Sequence, residues 1–141
     1  MKKILPLLLI LSFNAYAEEN VSFHCIYTEK TMFRDDGIDS TKLTSGDMST
    51  TLKFFPESKY VIFDSSIIHF NRKANYIEEG NSIKWGVADF IESSGITLKD
   101  FFKFNRISGD LNWSSYSEKT DNKMEIFSMN NGNCKKLEPL F

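Results

Sequence analysis

Apolar and polar residues alternate over short runs along most of the chain, and no stretch sustains the spacing of an amphipathic helix. The runs are separated by Gly, Asn, Asp and Ser, the pattern of an all-β chain. The first run is Ser22 to Glu29. The polar stretch Arg34 to Ser49, rich in Asp, Ser, Thr and Gly, reads as a long loop. Thr50 to Phe55 follows, with a turn at Pro56-Glu57 and a return through Tyr60 to Asp64.

Ala74 to Val87 reads as a hairpin about Gly80-Asn81, which sets Glu79 opposite Ser82 and Tyr76 opposite Trp85. Ala88 to Asp100 is compatible with a strand or a short helical turn. Phe101 to Tyr116 forms a second hairpin. A two-residue turn at Ser108-Gly109 is the expected register because it joins the two large rings, pairing Phe104 with Trp113 and Phe102 with Ser115. A turn at Gly109-Asp110 keeps the same face but opposes Phe104 to Ser115. In both registers Phe102, Phe104, Leu111 and Trp113 share the apolar face. The last run starts at Lys123, is expected to turn at Asn131-Gly132, and returns through Cys134 to Leu137, with Pro139 ending the ladder. Counting runs gives about eight strands in up-and-down order, which predicts a small antiparallel barrel, with a two-sheet sandwich as the alternative.

The amino terminus departs from this pattern. Met1-Lys2-Lys3, an apolar run from Ile4 to Leu11, and Ala15-Tyr16-Ala17 form the charged, apolar and small-residue parts of a secretory signal peptide. The apolar run is about half the roughly 20 residues a spanning helix needs. Cleavage after Ala17 leaves residues 18–141 as a single β domain. No Cys sits where a lipoprotein anchor requires one, so the expected product is periplasmic or secreted and without stable membrane insertion. An outer-membrane barrel is disfavoured because Ser114 to Asp121 is too polar and Pro139 interrupts the last strand.

The chain carries a formal charge of −2, and loss of Lys2 and Lys3 takes it to −4. Nucleic acid and anionic lipid need concentrated Lys and Arg, so neither is expected as a partner. The two cysteines, Cys25 and Cys134, lie near opposite ends of the mature chain. In an oxidising compartment they are expected to form a disulfide, which requires the first and last strands to be neighbours or to face each other across a thin core.

Phe104-Asn105-Arg106-Ile107-Ser108-Gly109-Asp110-Leu111, followed by Cys134 after Asn131-Gly132, resembles the endings of small exported bacterial β proteins of unknown function. There the pattern is aromatic-x-Asn/Asp-Arg-x-Ser/Thr-Gly-x-Leu and then Gly-x-Cys. The resemblance covers about a quarter of the chain and implies export and a β hairpin, without an activity. A looser likeness is to periplasmic inhibitors of C-type lysozyme, which are small disulfide-closed barrels with a Gly/Ser-rich inhibitory loop. No matching loop occurs here, and no residue is carried over.

No catalytic, cofactor or metal motif stands out. His24 and His69 lack partners at ligand spacing. Ser93-Ser94-Gly95 reads as a turn, without an identifiable base. Asp35, Asp36 and Asp39 lack the spacing of a calcium loop, and Glu78-Glu79 flank a turn. The candidate binding residues are Arg106 and Trp113. Arg106 would stand at the rim of the aromatic face and take an anionic group. Trp113 would serve a partner surface if it were not buried. The expected function is a non-enzymatic binding module that takes a protein partner in the cell envelope, such as a cell-wall hydrolase, through loops at one barrel end. The alternatives are a binder of a small apolar ligand in a barrel cavity, or an enzyme with an unrecognised site.

Overall fold

A computed structural model describes residues 19–43, 48–65, 71–118 and 124–138. The expected leader, residues 1–17, and His69 and Pro139 lie outside them. Nine strands run through the described residues: β1 (Val21–Arg34), β2 (Gly37–Lys42), β3 (Ser49–Phe55), β4 (Tyr60–Ser65), β5 (Arg72–Glu79), β6 (Ser82–Ile91), β7 (Ile96–Asn105), β8 (Asp110–Glu118) and β9 (Met124–Lys136). All pairings are antiparallel. Strands β3 to β9 meander in sequence order, and β1 pairs with both β3 and β9. The result is a closed eight-stranded barrel with β2 as an extra strand, so the sandwich alternative does not hold.

The extra strand corrects the expected Arg34–Ser49 loop. β1 continues to Arg34, turns, and β2 pairs back on Glu29 to Arg34. Every residue of β2 is exposed, so its strand carries no apolar alternation that the sequence could betray. Strand β1 is thus shared: residues 21–26 pair with β3, residues 29–34 with β2, and its other edge with β9.

The inward faces follow the predicted alternation. Leu52 and Phe54 in β3, Tyr76 in β5, Trp85 in β6, Phe102 and Phe104 in β7, and Leu111 and Trp113 in β8 are all buried. Tyr76 lies opposite Trp85, as the Gly80-Asn81 turn dictates. The next rungs are Trp85 against Phe102 and Phe102 against Trp113. Their rings stack at 5.2 Å and 5.6 Å between centroids, with interplanar angles of 4° and 15°. Each such pair adds about 0.5–1.5 kcal/mol beyond area burial. The barrel interior is therefore filled by rings along this ladder, which leaves the middle unsuited to the internal cavity that an apolar ligand would need.

Two turn expectations fail for identifiable reasons. The β7–β8 connection is a four-residue turn, Arg106 to Gly109, so Phe104 faces Leu111 and Phe102 faces Trp113. The side-chain Oδ1 of Asn105 accepts from the amides of Ile107 (2.9 Å) and Ser108 (3.0 Å), which closes the longer turn. Gly109 takes φ +77°, and a Cβ there would stand 2.6 Å from the Cys134 carbonyl oxygen. The expected hairpin at Asn131-Gly132 does not exist, because both residues lie inside the continuous strand β9. Gly132 instead lets the β1 backbone approach where that strand bulges between Tyr27 and Glu29. A Cβ at Gly132 would meet the Ile26 carbonyl oxygen at 2.6 Å.

Cys25 and Cys134 are directly opposite on β1 and β9 and form the disulfide, 109 residues apart in sequence. The first and last strands are neighbours, and the bridge staples the seam where the barrel closes.

Candidate functional site

One end of the barrel gathers three tight turns: Pro56 to Lys59, Gly80-Asn81 and Arg106 to Gly109. Both described chain ends reach it too. Backbone hydrogen bonds tie these pieces together. The Arg106 amide donates to Asn81 (2.9 Å), the Tyr76 amide to Lys59 (2.9 Å), the Cys134 amide to Gly109 (2.7 Å), and the Leu137 amide to Ser22 (2.8 Å). The rim is thus a cross-linked ring of backbone rather than a set of independent loops.

Inside that ring lies a cup of about 590 Å³. Its floor is the outermost layer of the core: Phe23, Phe54, Tyr76, Ile83 and Phe104. Phe104 stacks on Phe54 at 5.5 Å, and Phe23 packs against Phe104 at 4.8 Å. The wall carries charge. Lys59 Nζ donates to Glu78 Oε2 at 2.9 Å. Arg106 donates through Nη1 to Glu78 Oε1 (3.3 Å) and through Nη2 to the Gly80 carbonyl (2.5 Å). The Lys59 hydrogen bond lowers the Glu78 pKa against an opposing cost of burial, and the charges of Lys59 and Arg106 lower it further. Lys136 and Glu19 complete the charged lining.

The two candidate binding residues are separated by this architecture. Arg106 is exposed and lines the cup. Trp113 is 2% exposed and sits in the interior, so it offers no surface to a partner. Its Nε1 donates to Asp100 Oδ1 (2.9 Å), which also accepts from Ser115 Oγ (2.5 Å). Asp100 is itself buried. The Tyr27 hydroxyl makes no hydrogen bond, and burial first, then the Asp100 charge, raises its pKa. Lys59, Glu78 and Lys136 were not foreseen as site residues. They come from the β3–β4 turn and the ends of β5 and β9, and only the flanking of Gly80-Asn81 by Glu78-Glu79 pointed to any of them.

The remaining candidates disperse. His24 is exposed on β1; Asp35 and Asp36 form the β1–β2 turn, with Asp39 exposed on β2. Ser94 is spent on its own turn, its amide donating to the Ile91 carbonyl at 3.2 Å. No group of three or more metal-ligating side chains converges among the described residues. No helix among them is long and apolar enough to cross a membrane. A second concavity, about 690 Å³, lies on the outer wall over Gly86 between Ile77 and Phe101. It is bounded by strand faces alone, whereas the mouth is enclosed by turns with fixed charges.

No protein-family model matches the chain, and no curated protein matches it in sequence. Among solved structures it is similar to a mutant of the vaccine antigen Transferrin Binding Protein B from Haemophilus parasuis Hp5, at 7% identity and a TM-score of 0.47. The match covers 87% of this chain and 27% of that one. No residue is carried across at that identity.

Proposed function

We propose that this protein is a non-enzymatic binding module of the cell envelope, periplasmic or secreted, whose recognition surface is the barrel mouth. The observation that carries the reading is the ring of hydrogen-bonded turns around an aromatic-floored, cation-bearing cup. Binding sites combine an apolar surface with a few fixed polar groups, and rigid mounting lowers the ordering cost of association. The exposed tip of the β7–β8 turn, with Ile107 at 76% exposure, extends this surface outwards. The preferred occupant is a protein of the envelope, with a cell-wall hydrolase as the first class to screen. A second reading, a small ligand at the same mouth, is favoured by the size of the cup.

The leader-like pattern of residues 1–17 and the disulfide support the compartment. Intact mass of the exported protein is expected to lack residues 1–17, and a full-length cytoplasmic product would remove that part of the reading. For the mouth itself, a photo-crosslinking residue at Ile107 should capture an envelope component that the same probe at Lys73, on the outer wall, does not. Inhibition assays against lysozymes test the hydrolase class directly. Hydrolase activity of the purified protein, abolished by a single acid-to-amide change, would replace this reading with an enzyme.

A further inference from the structure

We propose that the cup binds a small amphipathic carboxylate, with its apolar body on the aromatic floor and its carboxylate at Arg106 and Lys136. The proposal rests on the mouth being the recognition surface and names the chemistry that the surface selects.

Three features specify that chemistry. The first is size: small-molecule sites run from about 300 to 1,000 Å³, and the cup is about 590 Å³. The second is the floor. Half-buried Phe23 presents its ring to the cup above the buried rings of Phe54 and Phe104, and Val21, Pro56 and Leu137 supply the other accessible apolar lining. Such a floor rewards an apolar body. The third is the sign of the wall. Among the described lining residues, the three cations Lys59, Arg106 and Lys136 outnumber the two acids Glu78 and Glu19, on a chain whose net charge is negative.

Within that wall Arg106 is the specific element. A guanidinium has five N–H donors in a rigid fork that matches a carboxylate. Glu78 and the Gly80 carbonyl take one donor each and hold the group in place. The fork is therefore positioned before the ligand arrives. Glu78 is shared between Lys59 and Arg106. It serves as the internal counter-ion that keeps two like charges close together in the empty cup.

The experiment uses the purified, disulfide-bonded protein with decanoate, decanol and decyltrimethylammonium, each below its micelle concentration, followed by NMR titration. Decanoate is expected to bind at least tenfold more tightly than decanol, and the cation more weakly than either. Intermolecular NOEs should run from the decanoate chain to Phe23 and Leu137. Arg106→Ala should weaken decanoate at least tenfold while leaving decanol nearly unchanged, and Arg106→Lys should restore part of the loss. Because Arg106→Ala could loosen its turn, Lys136→Ala at the end of β9 is a second probe, expected to weaken decanoate severalfold with an unchanged melt. Lys103→Ala on the outer wall should have no effect. Equal binding of decanoate and decanol would overturn the proposal. So would indifference to both cup variants, or NOEs to Ile77 and Phe101 in place of the floor. If Ile107 captures a partner yet decanoate does not bind, this proposal falls and the binding-module reading stands.

Discussion

Replacing Trp113 tests the interior of the barrel at the point where packing and polarity meet. The ring is buried, stacks on Phe102, and lies 5.7 Å from the Tyr27 ring. Loss of a fully buried Trp to Ala costs about 3–5 kcal/mol from transfer and cavity terms. Trp113→Ala also strips one of the donors from Asp100, whose carboxylate is buried. An unsatisfied buried group adds about 1–3 kcal/mol, more if charged. The two contributions can be separated. Trp113→Phe keeps most of the ring area and removes the N–H, so it should cost about 1–3 kcal/mol. For a domain of this size that is a fall in Tm of roughly 3–5 °C per kcal/mol. Urea denaturation with an unchanged m-value would show that the loss belongs to the native state. A double-mutant cycle with Asp100→Ala should return a coupling of about 0.5–3 kcal/mol, as expected for residues in one network. A Trp113→Phe protein within about 0.5 kcal/mol of wild type, together with zero coupling, would refute the network.

The remaining predictions concern the seam, one turn and the rim. Cys25→Ala with Cys134→Ala should cost about 2–5 kcal/mol, read by chemical denaturation, and the native protein should resist alkylation until reduced. Gly109→Val should destabilise by more than about 2 kcal/mol, since positive φ and the Cys134 carbonyl both exclude a branched side chain, and a wild-type melt would contradict the described turn. Glu78 has a folded pKa below its ordinary value of 4.5, so its contribution is complete above that value and is lost as pH falls through the folded pKa. The stability difference between wild type and Glu78→Gln should therefore be flat at neutral pH, remain below about 1 kcal/mol because the pair is largely exposed, and shrink in acid.

The faces of the strands were legible in the sequence where one side is core and the other solvent. Phe102, Phe104, Leu111 and Trp113 are inside because period-2 spacing survives any slip by two residues. Register was legible only where the turn has a single geometry: Gly80-Asn81 fixed Tyr76 against Trp85, whereas the Asn105 side chain lengthens the β7–β8 turn and moves the partner of Phe104 from Trp113 to Leu111. Asn131-Gly132 misled because strand β9 is held on both edges by distant strands, and that pairing overrides a local turn preference. Strand β2 was invisible because both of its faces are wet. Of the site, Arg106 could be read from its place beside an apolar face. Lys59, Glu78 and Lys136 could not, because only closure of the barrel brings those positions together.

The shared strand β1 also bears on how the molecule comes into being. Its pairing with β2 and β3 can form as soon as the first half of the chain is free, but its other edge waits for β9 at the far end of the sequence. Pairing ends so far apart is slow because chain closure must come before the contacts that reward it. Until β9 arrives, the amino-terminal half is an open four-stranded sheet, β2-β1-β3-β4, with no completed barrel to resist unravelling. The disulfide then locks in a topology that could not have formed earlier.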